Sequence, residues 1–365
     1  MQRLKLLLAL LAFGGTMSLQ AAADKSTYPV VFAHGMGGFN NLLGFDYFGD
    51  DYGNFVGDPC DEFLEVTCNS NLNSGQKTFI GQVAAFQTSE VRGVDLANDI
   101  EGYMATVGAT RINIIGHSQG GLDARKAAYV LKQRKGTAIV RVLMTVSTPH
   151  RGSPVAKYVM DLGPGITSVV SALASMFGNA IYQPGNDGHA ALKQLIHKDY
   201  SSTDGVTTGT QNFNALYPNS SSIAYRYVSV ITAQAGVNVN PALFVVKTLK
   251  NIDGNGYCVG DCDNDGAEGQ GNGTATDLDD DGLVGINSQQ NGWRLQYNSC
   301  FLCLDSFTTI TSLGEAPANS PSSAQMTSTL GIVEQDHADV VGVPPDTFDE
   351  MEFYAAAIHY IAIYD

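Results

Sequence analysis

Basic residues are scarce in this chain. Lys and Arg together number 20 against 36 Asp and Glu, for a formal net charge of −16. So acidic a chain repels polyphosphate, which argues against nucleic acid as a partner, and it offers no electrostatic docking to anionic membranes. Any contact with lipid must therefore be apolar. Long apolar runs are lacking too: beyond the N-terminus no stretch suffices to span a bilayer, so the mature chain is expected to be soluble, with no transmembrane segment. There is no internal repeat with a convincing period and no Pro/Ser linker, so the 365 residues read as one large α/β domain rather than two. A charged share of 15% beside a hydrophobic share of 44% excludes a disordered chain.

What is present begins with an export signal. Arg3 and Lys5 form a basic region, Leu6 to Phe13 an apolar run too short to span, and Ala21-Ala22-Ala23 a small-residue cleavage site. Residues 1–23 are thus expected to be a signal peptide and 24–365 the working unit, with a net charge of 18 − 36 = −18. Six cysteines fall as Cys60/Cys68, Cys258/Cys262 and Cys300/Cys303. The last four have a zinc-like spacing, but in an oxidising compartment disulfides are the better reading. A bridge from the Cys258/Cys262 pair to the Cys300/Cys303 pair would staple the loop between them.

Tyr28 to Ala33 is a short apolar, β-branched run ending in His34-Gly35-Met36-Gly37-Gly38, a buried strand feeding a glycine-rich loop. Residues 39–78 read as a long surface loop. Val94 to Val107 has helical spacing, Arg111 to Ile115 is a buried strand, Leu122 to Arg134 a helix and Val140 to Val146 the next strand. Strand, helix, strand at these lengths implies a parallel sheet. Ile223 to Ile231 is a further strand and Asp349 to Tyr364 a closing helix. From Leu162 to Asn186 there is no charged residue, with apolar positions at helical spacing. That pattern fits a core helix or a mobile apolar lid equally well.

The chemistry centres on Gly116-His117-Ser118-Gln119-Gly120, the single G-x-S-x-G in the chain. A serine hydroxyl is a weak nucleophile and needs an exposed, fixed position beside a base; a sharp strand-to-helix turn crowded enough to require glycine supplies it. Here the pentapeptide follows a strand and opens a helix. Attack on an ester creates an oxyanion, for which Gln119 N–H and Met36 N–H, from the loop after the first strand, are the candidate donors. The base should be a histidine late in the chain, which leaves His337 and His359. His359 sits in an apolar helical run, so His337, in Gln335-Asp-His-Ala-Asp339, is preferred. The acid lies between Ser118 and His337, and Asp281, on the glycine turn Asp-Gly-Leu-Val-Gly285, is the attractive candidate. A competing reading is calcium. Asp261-x-Asp263-x-Asp265-Gly266 and Asp277-x-Asp279-x-Asp281-Gly282 open like calcium loops, although Asn272 and Ser288 replace the acid at the twelfth position.

The blocks YPVVFAHGMGG, GATRINIIGHSQGGLDARK, VSTPHRGS, DDDGLVG and DHAD follow the order found in secreted bacterial triacylglycerol lipases of the Pseudomonas type, which the chain resembles from Tyr28 to about Ala156 and again around Asp281 and His337. The resemblance implies an α/β-hydrolase: a mostly parallel central sheet flanked by helices, with a helical lid inserted within 154–220. It implies Ser118, Asp281 and His337 as a catalytic triad and Met36 and Gln119 as the oxyanion hole. It also implies a structural calcium that Asp339 would ligate, although the family's next ligand, a glutamine, falls here at Val343. Relatives often need a folding chaperone. The expected function is a secreted carboxylic-ester hydrolase, a lipase acting on a lipid ester at a lipid–water interface. Its rivals are an esterase for short or polymeric esters and, from another class, a calcium-dependent binding module.

Overall fold

The computed structural model describes residues 25–38, 75–161, 185–196, 209–234, 239–240, 243–244, 278–300, 303–312, 314, 326, 329–342 and 349–365. The expected signal peptide, most of the uncharged 162–186 stretch, the 39–74 loop, the first calcium-like loop, Asp277 and four of the six cysteines lie outside these residues. No helix among the described residues is long and apolar enough to cross a membrane.

The elements run β1 (Val30–Ala33), β2 (Thr78–Ile80), α1 (Ser89–Val107), β3 (Ile112–His117), α2 (Gln119–Lys135), β4 (Val140–Val146), α3 (Pro154–Asp161), α4 (Gly188–Gln194), α5 (Thr210–Leu216), α6 (Asn219–Ser222), β5 (Ile223–Thr232), β6 (Trp293–Asn298), β7 (Ser306–Ser312), β8 (Ile332–Val333) and α7 (Glu350–Tyr364). They build a sheet of order β2-β1-β3-β4-β5-β6-β7. All neighbours are parallel except the β6–β7 hairpin, and β8 pairs with the end of β5 at Ile231↔Ile332. A mostly parallel sheet with helices on its faces is the α/β-hydrolase architecture.

Strand β1 is wholly apolar and β3 and β4 are largely so, because both faces of the sheet are covered. On one face Phe32, Ile115, Met144 and Val230 pack with Phe353, Tyr354 and Ile358 of α7. On the other, Val31, Ile114 and Leu143 pack with Leu96 and Ile100 of α1 and Ala124 and Leu131 of α2. A third cluster, of Val155, Val159, Leu192, Ile196 and Phe213 with Phe86 and Leu122, occupies the described parts of the segment expected to hold a lid, and Met36 packs against it.

Helix α1 begins at Ser89, five residues before the expected Val94, because the Thr88 hydroxyl caps it by accepting from Val91 N–H at 3.4 Å. Strand β2 starts at Thr78, inside the stretch read as loop. The cysteine expectation is corrected: Cys300 bonds to Cys303, its Cα 5.2 Å away, instead of to the Cys258/Cys262 pair. The two are neighbours in the β6–β7 connection, where loop closure brings them together at little entropic cost.

Near that connection the Tyr297 hydroxyl donates to Asp305, whose other oxygen accepts from Cys300 N–H at 2.6 Å. Burial and then the carboxylates of Asp305 and Asp349 push Glu352, in the first turn of α7, up to about 7. Because the folded-state value lies above the unfolded one, the folded state holds this proton more tightly. The resulting stabilisation is complete below about pH 4.5 and is lost as pH rises through 7. Thermal melts are therefore expected to show Glu352→Gln melting above the parent at pH 8 and level with it at pH 4.5; equal melting at both would remove Glu352 as the cause.

Candidate active site

Every candidate group sits at the carboxyl end of a sheet strand, where parallel α/β sheets open to ligands. Ser118 follows β3 directly and opens α2 at φ 54°, ψ −133°, a left-handed conformation rare for a residue with a side chain. The turn is held by Ser118 N–H to Val146 O at 2.9 Å and Gly121 N–H to Ser118 O at 3.1 Å. The flanking glycines are steric necessities. A Cβ on Gly116 would lie 2.7 Å from Gly120 O, and one on Gly120 would collide with the Ala33 carbonyl. The helix must pack that closely for its first N–H groups to face the same space as the serine.

His337 and Asp281, separated from Ser118 by long stretches of chain, converge on it. His337 Nε2 lies 2.8 Å from Ser118 Oγ, and His337 Nδ1 lies 2.8 Å from Asp281 Oδ2. The backbone is stitched as well, His337 N–H donating to Asp281 O at 2.9 Å. Asp281 is fully buried, so its charge depends on donors. Oδ1 accepts from the N–H groups of Leu283 and Val284, and Oδ2 from His337, Thr232 Oγ1 at 3.0 Å and Gln289 Nε2 at 3.3 Å. Both oxygens are thus spent on protein donors rather than offered to a cation. The His117 ring packs 4.7 Å from that of His337. Burial, then the nearby His337, holds His117 well below its ordinary value, so it stays neutral.

Gln119 follows Ser118 directly and Met36 lies in the loop after β1, and no acceptor for either backbone N–H is found among the described residues. The loop bearing Met36 is anchored from behind by Arg92 of α1. Its buried guanidinium donates to His34 O at 2.7 Å, Gly35 O at 3.0 Å, Ala84 O and Ala85 O, and pairs with Asp123 of α2 at 2.7 Å. In a trans peptide the C=O and N–H point opposite ways. Turning the Gly35 carbonyl toward Arg92 therefore turns the Met36 N–H away from it. Burial, then Arg92, drives His34 down to about 3, so that histidine adds no charge to the loop.

Sequence reasoning passed over Arg92, Thr232, Gln289 and Arg151. Arg151 is buried and donates to Asn287 O at 3.0 Å and Gln290 O at 2.5 Å, pinning the segment after Asp281. The signal for Arg92 was available: it lies in phase with Leu96 and Ile100 on the buried stripe of α1. His359 lies on α7, as its apolar surroundings imply. Asp339 is buried at 4%, but no group of three His, Cys, Asp or Glu able to hold a metal gathers among the described residues. The residues present there do not make a calcium site by themselves.

The palmitoyl protein thioesterase family model matches residues 29–204, just under half of the chain. Among curated relatives, a triacylglycerol lipase of Burkholderia plantarii is 30% identical over 237 residues, 58% of this chain and 57% of that protein. A triacylglycerol lipase of Vibrio cholerae is 30% identical over 209 residues, 54% of this chain and 57% of that protein. The chain spans about half the length of the curated relatives it matches. Among solved structures, a metagenomic carboxyl esterase superposes with a TM-score of 0.51 at 13% identity, over 95% of this chain and 79% of that one. The fold is that of an α/β-hydrolase, and the chain is similar to triacylglycerol lipases of several bacteria.

Breaking the Arg92–Asp123 pair from one side leaves a buried carboxylate and four carbonyls without their donor. Arg92→Met is expected to cost about 3–5 kcal/mol of stability in urea unfolding, with Arg92→Met/Asp123→Leu recovering part of it. A loss below about 1 kcal/mol, the size of a surface pair, would contradict the assignment.

Proposed function

We propose that this chain is an exported carboxylic-ester hydrolase, a lipase that works through Ser118, His337 and Asp281. The observation that carries the reading is His337 bridging Ser118 Oγ and Asp281 Oδ2 at 2.8 Å on each side. Ser118 Oγ attacks the ester carbonyl while its proton passes to His337 Nε2. Asp281 orients the ring through Nδ1–H and stabilises the imidazolium. The N–H groups of Met36 and Gln119 would bind the oxyanion, and the imidazolium returns its proton to the leaving alcohol. Water, deprotonated by His337, then attacks the acyl-enzyme, and the acid is released with Ser118 restored.

A lipid-like acyl chain fits the surroundings. Met36, beside the nucleophile, borders the apolar cluster of Val155, Val159, Leu192 and Phe213, and an acidic chain can meet lipid only through such surface. The relatives' names point the same way. Export by way of residues 1–23, a lid within 154–220 and the help of a folding chaperone belong to the same proposal. A structural calcium at Asp339 would need ligands from beyond the described residues, and no chemical step depends on it.

The test is hydrolysis of emulsified long-chain triacylglycerol beside a soluble short-chain ester. Ser118→Ala is expected to lower both by roughly 10⁴- to 10⁶-fold with the melting temperature kept. Normal turnover in that variant would sink the proposal, whereas cleavage of the short ester alone would shift the substrate class to that of an esterase.

A further inference from the structure

The hydrogen-bonded array does not end at Asp281. Strands β4 and β5 are parallel neighbours, and their ends place Ser147 and Thr232 side by side, with Ser147 N–H on Val230 O at 3.2 Å. Ser147 Oγ lies 2.5 Å from Thr232 Oγ1, and Thr232 Oγ1 lies 3.0 Å from Asp281 Oδ2. All three side chains are fully buried.

The proton directions follow from what each group can do. An ionised carboxylate only accepts, so the Thr232 hydroxyl donates to Asp281. Its oxygen is then the acceptor for Ser147, whose hydroxyl must donate. Gln289 does not substitute for Thr232 here. Its amide has two hydrogens and three acceptors in reach, Thr232 O at 2.9 Å, Val284 O at 3.0 Å and Asp281 Oδ2 at 3.3 Å, and the carboxylate is the most distant. Its carbonyl accepts from Thr232 N–H at 2.8 Å and also lies 3.4 Å from Thr232 Oγ1, farther than the charged Asp281 Oδ2 at 3.0 Å, so the hydroxyl favours the carboxylate. Thr232 is therefore the principal partner of Oδ2 other than His337 itself.

Ser147 carries the second feature. At φ 53° it is, with Ser118, one of two non-glycine residues with positive φ among those described. Glycine would sit there without strain, but glycine has no hydroxyl. A strained residue persists where its surroundings fix it, and strain of this kind gathers at functional sites.

We infer that Ser147 and Thr232 form a hydroxyl relay, Ser147 to Thr232 to Asp281, that fixes the carboxylate against His337, with Thr232 as a positioning residue for the reaction. This inference rests on the hydrolase reading above and deepens it. One lone-pair direction of Oδ2 is held by Thr232, which leaves the other aimed at His337 Nδ1. Chained donors polarise one another, so the outer hydroxyl strengthens the inner one. Both side chains are fully buried, so neither is exposed to a substrate and KM is not expected to depend on them.

The experiment compares kcat, KM and melting temperature for the full chain on a soluble short-chain ester. Thr232→Val, which keeps the shape and removes the hydroxyl, is expected to lower kcat by about tenfold with KM unchanged, the worth of one hydrogen bond to a charged group. Thr232→Ser is expected to restore most of the rate. Ser147→Gly is expected to lower kcat by about threefold while melting no lower than the parent, because it loses a hydroxyl and a strained φ together. Unchanged kcat in Thr232→Val, or equal impairment in Thr232→Ser, overturns the relay. If Thr232→Val does not fold, Ser147→Gly decides, and full activity there overturns it. Ser118→Ala separates the two readings. Residual full turnover in it would bring down the hydrolase reading itself, whereas an inactive Ser118→Ala beside a fully active Thr232→Val sinks the relay alone.

Discussion

A carboxylate removed from water must have its water replaced donor by donor, or it takes up a proton and ceases to be a carboxylate. Asp281 is fully buried, and its donors arrive from its own turn, from the end of β5, from Gln289 and from His337. Satisfying one charge therefore forces four pieces of chain into register. The segment from Asp281 to Gln290 must fold back over β5, and the His337 segment must lie against it, as the His337 N–H to Asp281 O bond records. Arg151 and Ser288 fasten the far end of the same segment, Ser288 Oγ donating to Gly152 O at 2.6 Å. The geometry at Ser118 is the outcome of that arrangement more than of anything local to the serine.

The opposite wall obeys the converse rule. Arg92 is a buried cation surrounded by carbonyl oxygens and one carboxylate, and each hydrogen it donates fixes a backbone segment. Burial raises Asp123 to about 6 in spite of the guanidinium beside it. His34 and His117 stay neutral, His34 through burial and Arg92 and His117 through burial and His337, while the polar atoms of Arg92 and Asp281 are engaged by partners within the fold.

Much of this was legible beforehand, and for a physical reason. The strand before Ser118, the crowded glycines and the helix after it are local demands of one sharp turn, and local demands are written in consecutive residues. Strand Val140–Val146 could be read to the residue, its β-branched run closing at the polar Ser147-Thr148-Pro149. The β6–β7 hairpin escaped notice although its signal was present: Trp-Arg-Leu-Gln-Tyr-Asn alternates apolar and polar side chains with the period of a strand. Arg92 escaped because the start of its helix was placed two residues beyond it, and a cation on an apolar stripe reads as an interruption until its acceptors are seen. Thr232 and Ser147 had no signal at all, since a hydroxyl at a strand end is ordinary in isolation.

By itself, then, the sequence determined strands β1, β3, β4 and β5, helices α1, α2 and α7 and the sharp turn at Ser118, because strand, turn and helix are set by steric and apolar patterns among near neighbours. Order along the chain left His337 and His359 as candidate bases, their surroundings favoured His337, and the glycine turn after Asp281 made it the attractive candidate acid. Which atoms of those residues meet was decided only by the tertiary structure, together with the pairing of Cys300 with Cys303, the anchoring of the Met36 loop by Arg92 and the hydroxyls behind Asp281. Each of these joins residues distant in the chain or choices among equivalent partners, and a buried charge selects its donors by position in space, which no spacing along a chain encodes.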